Sequence, residues 1–519
     1  MPVPSKPWQV ALSQAQQAAA TANWLIVDQT IDQLLAQWAN NSDALLDISS
    51  LLLSIGELSQ AEAILLWCHQ LQPRHQAPLQ NLANTWMQSL RQQQALDLYF
   101  ALSEQQPNAL QPLSNALMAL AYTTDQSAQA SRQLALLWAQ TLFSNVQPLK
   151  PEQPRKLKAG QALRIGFLSA DLCQHPVGLF LLPLAEALAA RSGVELWFYS
   201  NGTRHDWLSE QLERCGNWFN VHGLSDQALA AKIRSDQLTV LVELGGHTGG
   251  SRLAVLLQRP APLQLSWLGY WATTGLATDG VLVDPLHVPP GSAEAASFVE
   301  PLRWLSTTRW VYRPVPWMPE VVEPPCLRQG WITFGCFNSA AKWNMPLLRC
   351  WAAVLKAVPG SRLRLKNYQL RDIGLRHRLH SLMAAEGVAA ERLELEGPSF
   401  HQNLLATYAE IDIALDCFPF NGGLTSCEAI WLGVPLVSLA GNDQAAVMAA
   451  RQGLALLELI GRPEWIASST AMYVSIAAEL ASNPDELRAM RQSQRQLMRM
   501  CALCDEQSFA DAWLYAINY

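Results

Sequence analysis

Four stretches of this 519-residue chain carry side chains suited to a charged, hydroxyl-rich substrate. The first, Asp416 to Glu428, reads DCFPFNGGLTSCE. A strand-like run ends there, the chain turns through Asn421, Gly422 and Gly423, and a helical pattern begins at Thr425 or Ser426. Free N–H groups and the helix dipole at such a start attract phosphate. The two glycines let the backbone approach it closely. Glu428, placed in the first turn, could accept hydrogen bonds from ribose hydroxyls. An ordinary capped loop would use the same residue types.

Lys342 lies in FGCFNSAAKWN, just past a strand-like run. A lysine there can neutralise a diphosphate as charge builds on a departing group; a solvated surface lysine is the plainer alternative. His175 in ADLCQHPVG and His247 in GGHTGGSR follow two other strand-like runs. Either could act as a general base or hold a sugar hydroxyl. Glu243 stands four residues before His247, inside the strand pattern. Three motifs are missing. There is no G-x-x-x-x-G-K-[ST] loop, no G-x-G-x-x-G after the first strand, and no convincing D-x-D loop for a metal-held diphosphate. P-loop hydrolysis and nicotinamide chemistry lose support, and the nucleotide is expected to be handled without metal.

Two sets of alternating strands and helices must position these residues. LRIGFLS (163–169), VELWFYS (194–200) and TVLVEL (239–244) read as strands, with helical patterns from about Leu179 and at Asp226 to Ser235. Leu263 to Trp267 and Val281 to Val283 continue the series. After a proline-rich break at Pro314 to Pro325 the alternation restarts. Trp331–Phe337, Arg362–Leu365, Leu393–Glu396, Ile413–Asp416 and Pro435–Leu439 are strand-like. Such alternation predicts parallel sheets covered on both faces. Two Rossmann-like domains in tandem place a ligand cleft between the carboxyl ends of their sheets.

The stretch before them, to about Val146, reads as helix after helix. A 34-residue spacing relates Ala61 to Ala95 and Pro73 to Pro107. Leu79, Leu82, Ala83, Trp86, Ala95, Tyr99 and Pro107 fall where a tetratricopeptide (TPR) unit packs, and Leu45, Ile48, Ser49, Leu52, Ala61, Leu65 and Pro73 repeat the pattern less well. Two or three degenerate helical hairpins with caps are expected. A basic, proline-punctuated linker (Pro148, Lys150, Pro151, Pro154, Arg155, Lys156, Lys158) follows. The expected domains are therefore 1–148, helical and TPR-like; 160–313, the first Rossmann-like domain; and 326–519, the second with C-terminal helices.

Composition limits the function classes. Half of the chain is hydrophobic, 15% is charged and the net charge is −7, so large cores are expected and disorder is not. Between Pro7 and Leu149 three basic residues face nine acids, which argues against a nucleic-acid partner. The longest clean apolar run, Leu179 to Ala190, is too short to cross a bilayer. The first thirty residues lack a basic region followed by an apolar one, so a cytoplasmic protein without a membrane span is expected. Ten cysteines, with Cys501 and Cys504 as a lone C-x-x-C, read as reduced buried thiols.

LRIGFLSADLCQHPVG, LVELGGHTGGSRLAVLLQRPAPLQLSWLGYWATTG, FGCFNSAAKWN and DIALDCFPFNGGLTSCEAIWLGVPLVSLAG, in that order, resemble the O-GlcNAc transferase-like family, glycosyltransferase family forty-one. That family includes bacterial adhesin N-glucosyltransferases. The resemblance runs from about Leu163 to the C-terminus and implies an α/β GT-B fold behind a helical repeat domain. It implies a metal-independent, inverting transferase moving a hexose or N-acetylhexosamine from a UDP-sugar to a Ser/Thr or Asn side chain. The UDP-sugar is then a donor substrate, with no cofactor or metal expected. The resemblance assigns Lys342 to the diphosphate, Thr425 and Ser426 to the phosphates and Glu428 to the ribose. Asn338, His401, Asn421, Gly422 and Gly423 fall in the implied donor site. His175 and His247 match cleft histidines near acceptor and donor sugar, and the helical arm would present a protein or peptide acceptor. Four departures stand out: Glu243 where the animal enzymes carry Asp, Gly423-Leu424 in place of His-Thr, Trp271 where Pro is usual, and Asn442 to Val447 without the family's Glu and Arg. These departures motivate an alternative, a non-catalytic scaffold. Another is a transferase acting on a small-molecule or lipid-linked acceptor.

Overall fold

The computed structural model describes residues 6–123, 127–146, 160–440 and 447–518. The linker prolines and lysines between 148 and 158, and the departing segment 442–446, lie outside them. Eight helices come first, at Gln9–Ala20, Trp24–Trp38, Ser42–Ile55, Leu58–Leu71, Ala77–Gln88, Gln92–Gln105, Leu110–Leu120 and Ala128–Asn145. They pack as successive antiparallel pairs. The 34-residue spacing maps onto the second and third pairs, where Leu45, Ile48, Leu52, Ala61, Leu65, Leu82, Ala83, Ala95 and Tyr99 are all buried. The hairpin pattern extends one pair further in each direction than the periodicity alone indicates. Trp86 is half-buried because its indole N–H donates to Glu62 at 3.0 Å, beside the guanidinium of Arg91.

Seven strands form the first sheet: β1 (Leu163–Ser169), β2 (Val194–Ser200), β3 (Asn217–Asn220), β4 (Val240–Glu243), β5 (Leu263–Ser266), β6 (Gly280–Val283) and β7 (Leu302–Trp304). Six form the second: β8 (Thr333–Cys336), β9 (Arg362–Lys366), β10 (Leu393–Glu396), β11 (Ile413–Leu415), β12 (Leu436–Leu439) and β13 (Ile466–Ala467). The orders are β3-β2-β1-β4-β5-β6-β7 and β10-β9-β8-β11-β12-β13, with parallel pairing throughout. Both sheets thus share one doubly wound order, and each reverses direction beside its first strand. The expected GT-B architecture is present. Sequence reading misses β3, β7 and β13, which are short strands at the sheet edges without a continuous apolar run.

The hydrophobic cores ignore the expected boundaries in two places. Helices from Ala77 onward share a core with the first sheet, where Ala83, Leu117 and Trp138 pack with Leu168, Tyr199 and Ile233. At the other end, Glu506–Asn518 crosses back onto the first sheet, with the Trp513 ring 5.9 Å from Phe167 and 5.8 Å from Trp267. Deleting residues 1–148 would therefore uncover part of one face of the first sheet. No helix among the described residues is long and apolar enough to cross a membrane.

Candidate active site

The second sheet reverses order between β8 and β11, and the loops after these two strands meet at the carboxyl edge. The loop after β8 carries Asn338 and Lys342; the loop after β11 carries Asn421 to Gly423. Lys342 Nζ donates to Asn338 Oδ1 at 3.1 Å and to the Asn421 carbonyl at 2.7 Å. Thr425 Oγ1 donates to the same Asn338 Oδ1 at 3.0 Å. The Lys342 ammonium also sits 4.3 Å from the centre of the Phe420 ring. Burial lowers the Lys342 pKa from its ordinary value, and the nearby Asp416 carboxylate opposes that shift.

Asp416 holds the turn in shape. Its Oδ1 accepts from the N–H groups of Cys417 (2.9 Å) and Gly422 (2.7 Å), and its Oδ2 from Ser438 Oγ at 2.7 Å. Burial pushes its pKa up to about 6 against those donors. Asn421, also buried, donates to the Cys417 carbonyl at 2.8 Å. Gly422 is required by space. A Cβ there would stand 2.3 Å from Ser426 Oγ, 2.8 Å from Thr425 Oγ1 and 3.1 Å from Asn338 Nδ2. Ser426 Oγ is buried without a hydrogen-bond partner among the described residues.

The helix after this turn runs Leu424–Trp431, one residue earlier than expected, with Gly423 as N-cap and no capping side chain. Its first-turn N–H groups have no capping side chain among the described residues. The earlier start moves Glu428 out of the first turn into the second. There its buried carboxylate accepts from His401 Nε2 at 2.8 Å. Burial raises the Glu428 pKa, and His401 opposes the rise. Glu428 and His401 thus form a pair of their own, separate in its hydrogen bonds from Lys342, Asn338 and Thr425.

At the edge of the first sheet the sequence-predicted residues are occupied differently. His175 caps the helix Pro176–Ala189, its half-exposed ring accepting the Val177 N–H at Nδ1 over 3.3 Å. That acceptor role places the proton of the neutral ring on Nε2. His247 is 2% exposed. Its Nδ1 lies 3.0 Å from Ser114 Oγ of the helical arm and its Nε2 2.9 Å from the Thr274 carbonyl. Rings of Trp138 and Tyr270 enclose it. Burial drives its pKa down to about 4. Glu243, the last residue of β4, accepts three contacts from the Gly245 and Gly246 N–H groups at 2.6–2.9 Å, and burial pushes it up to about 7. His247 therefore does not open onto free space, contrary to the expectation for a cleft histidine.

Between the two edges, sequence reasoning missed an aromatic wall. Trp271 packs on Phe420 with ring centres 4.2 Å apart, and Tyr122 of the arm packs on Phe420 at 4.9 Å. Trp271 and Phe420 lie inside quoted motifs; Tyr122 carries no sequence signal. Beside this wall a cavity of about 270 Å³ is lined by all three parts of the molecule, among them Leu117, Trp271, Glu294, Phe418 and Thr470. The arrangement can bind an anion at the second edge and exclude water with aromatic faces from both edges and the arm.

Comparisons with known proteins bear on the family and the fold. The sequence profile of glycosyl transferase family 41 matches residues 103–314 and 325–512. A rice protein named "Probable UDP-N-acetylglucosamine--peptide N-acetylglucosaminyltransferase SPINDLY" is 34% identical over 416 residues, covering 78% of this chain and 43% of its own. The Arabidopsis thaliana protein of that name is 33% identical over 366 residues, covering 69% and 38%. This chain thus spans less than half the length of these curated relatives. Among solved structures, a lysine-to-methionine mutant of Thermobaculum terrenum O-GlcNAc transferase superposes with a TM-score of 0.88 at 32% identity, covering 98% of this chain and 96% of that one.

Proposed function

The chain belongs to glycosyl transferase family 41, and we propose that it moves a sugar from a UDP-sugar to a side chain of a protein or peptide acceptor. The observation that carries this reading is the Asn338–Lys342–Thr425 group at the open start of the helix Leu424–Trp431.

In this reading the diphosphate lies on the N–H groups of Leu424, Thr425 and Ser426, in the space that Gly422 leaves free. Asn338 orients both Lys342 Nζ and Thr425 Oγ1. The acceptor atom attacks the anomeric carbon opposite the diphosphate. As that bond forms, the bond to the leaving oxygen breaks and its electron pair stays on UDP, while the acceptor's proton passes to a phosphate oxygen of the departing UDP or to solvent. Lys342 and the helix N-terminus hold the charge that appears, in a site already low in water. They supply the positive potential that a metal supplies elsewhere, so transfer is expected to persist in EDTA. His175, with its proton on Nε2, suits hydrogen-bond donation to a sugar or leaving oxygen better than proton abstraction. His247, with both nitrogens occupied, supports the wall behind the site.

Calorimetric titration with UDP in EDTA tests the site. Saturable binding near ~1 μM, about −8 kcal/mol, weakened by Lys342→Ala, supports the reading. A folded protein that binds no UDP would overturn it in favour of a scaffold. Transfer from labelled UDP-sugars to a peptide library, set against free sugar and lipid acceptors, then tests the acceptor class.

A further inference from the structure

The helical arm touches the second sheet domain through several polar contacts. Ser59 donates from its N–H (2.7 Å) and its Oγ (2.8 Å) to Asp372. Arg371 reaches back to Asp28 at 2.6 Å, and Gln88 accepts from Tyr368 at 2.9 Å. Gln92 differs from these in where it lands. Its buried amide donates to the Ala341 carbonyl at 3.0 Å and to the Trp343 carbonyl at 2.6 Å. Those carbonyls flank Lys342.

We propose that Gln92 of the helical arm is a positioning residue for Lys342, so that the arm helps to build the donor site. The inference rests on the reading that Lys342 meets the diphosphate. Ala340–Lys342 forms a single 3-10 turn, closed by the N–H groups of Lys342 and Trp343 bonding to Ser339 and Ala340. That turn uses neither the Ala341 nor the Trp343 carbonyl. Both need donors where water is scarce, and one planar amide satisfies them together. Holding the peptide plane that leads into Lys342 and the one that follows Trp343 restrains the short turn from which the Lys342 side chain leaves the backbone. The opposite side of the turn is held from within the sheet domain, by Gln369 Nε2 to Ser339 Oγ (2.8 Å) and Asn367 Nδ2 to the Asn338 carbonyl (3.0 Å). Without Gln92 the turn is clamped from one side only. A drift of about 1 Å at a charge-stabilising group is enough to lose a large share of its effect.

A double-mutant cycle in the full chain tests this, with UDP affinity by calorimetry and thermal unfolding in parallel. Gln92→Met keeps the shape of the side chain and removes both donors. It is expected to weaken UDP binding about tenfold when Lys342 is present. In the Lys342→Ala background the same change should cost less than about twofold. Ser59→Ala cuts another contact between arm and sheet domain and should leave UDP affinity within about twofold. Gln92→Glu gives a second probe. Its carboxylate repels the two carbonyls at neutral pH, and its protonated form returns one donor, so its affinity relative to the parent should recover as pH falls from about 8 to about 5. Equal losses with and without Lys342, parent-like binding by Gln92→Met, or an equal loss from Ser59→Ala would each overturn the inference. If Lys342→Ala itself binds UDP like the parent, the donor-site reading fails first and this inference falls with it.

Discussion

At the end of β4, Glu243 and His247 commit their polar atoms inside the protein: three N–H contacts on one carboxylate, and a hydroxyl and a carbonyl on the two ring nitrogens. At the end of β11, a loop in the corresponding place in the strand order leaves, among the described residues, a helix start uncapped, a serine hydroxyl unpartnered and an ammonium held by two oxygens and the Phe420 ring of its own edge. The strand order is the same in both sheets up to their last strands. What differs is what lies against the edge. Helices of the arm cover the first, placing Ser114 and Trp138 on His247. Among the described residues the arm reaches the second only beside the site, with Gln92 on the carbonyls of Ala341 and Trp343 and Tyr122 on Phe420, and Lys342 and Thr425 stay half-buried. A Rossmann edge becomes a ligand site when its donors are left over, not merely when polar residues are present.

The largest expected effect tests that contrast directly. Lys342→Ala should lower turnover by about 10²–10³-fold with little change in melting temperature. Comparable turnover would equate the two edges and remove the contrast.

Titration separates them next. Glu243 and Asp416 have raised pKa values, to about 7 and about 6. Each takes up protons on folding and favours the native state as pH falls through that value towards the unfolded one. His247 runs the other way. Its folded value of about 4 lies below the ordinary histidine value of 6.5, so its contribution is complete above 6.5 and is lost as pH falls towards 4. His247→Phe removes that penalty. Its stability deficit against the parent should shrink by about 1–3 kcal/mol between neutral pH and roughly pH 4.5, read from denaturant melts. A deficit independent of pH would mean that His247 is solvated.

Space is the third difference. Gly422→Ala forces a methyl group against Ser426 Oγ and should cost about 1–3 kcal/mol and weaken UDP binding. Gly249→Ala, in the loop after β4, meets nothing within 4 Å and should change stability by under about 0.5 kcal/mol. Parallel melts and titrations of the two variants check this.

The smallest effect concerns His175. His175→Asn keeps a capping side chain and removes the ring donor, so transfer should fall about threefold to tenfold while melting temperature and UDP affinity hold. A drop in stability alone would reduce His175 to a cap.

The chain's own sequence determined more of this molecule than its local periodicity would suggest. Ten of the thirteen strands among the described residues and the 34-residue hairpin spacing are legible because buried strands are continuous apolar runs and helical hairpins repeat their packing positions. Lys342, Asn421, Gly422 and Thr425 could be singled out because they sit in or beside a glycine-rich strand-to-helix turn that is visible in the local sequence. Burial of His247, the pairing of His401 with Glu428 and the bonds from Gln92 to the Ala341 and Trp343 carbonyls were decided only in three dimensions. Each joins residues 27 to 251 positions apart, and whether a polar atom is spent or spare depends on which distant element packs against it. Local pattern carries the identity of an edge; the tertiary structure decides which of its donors remain open.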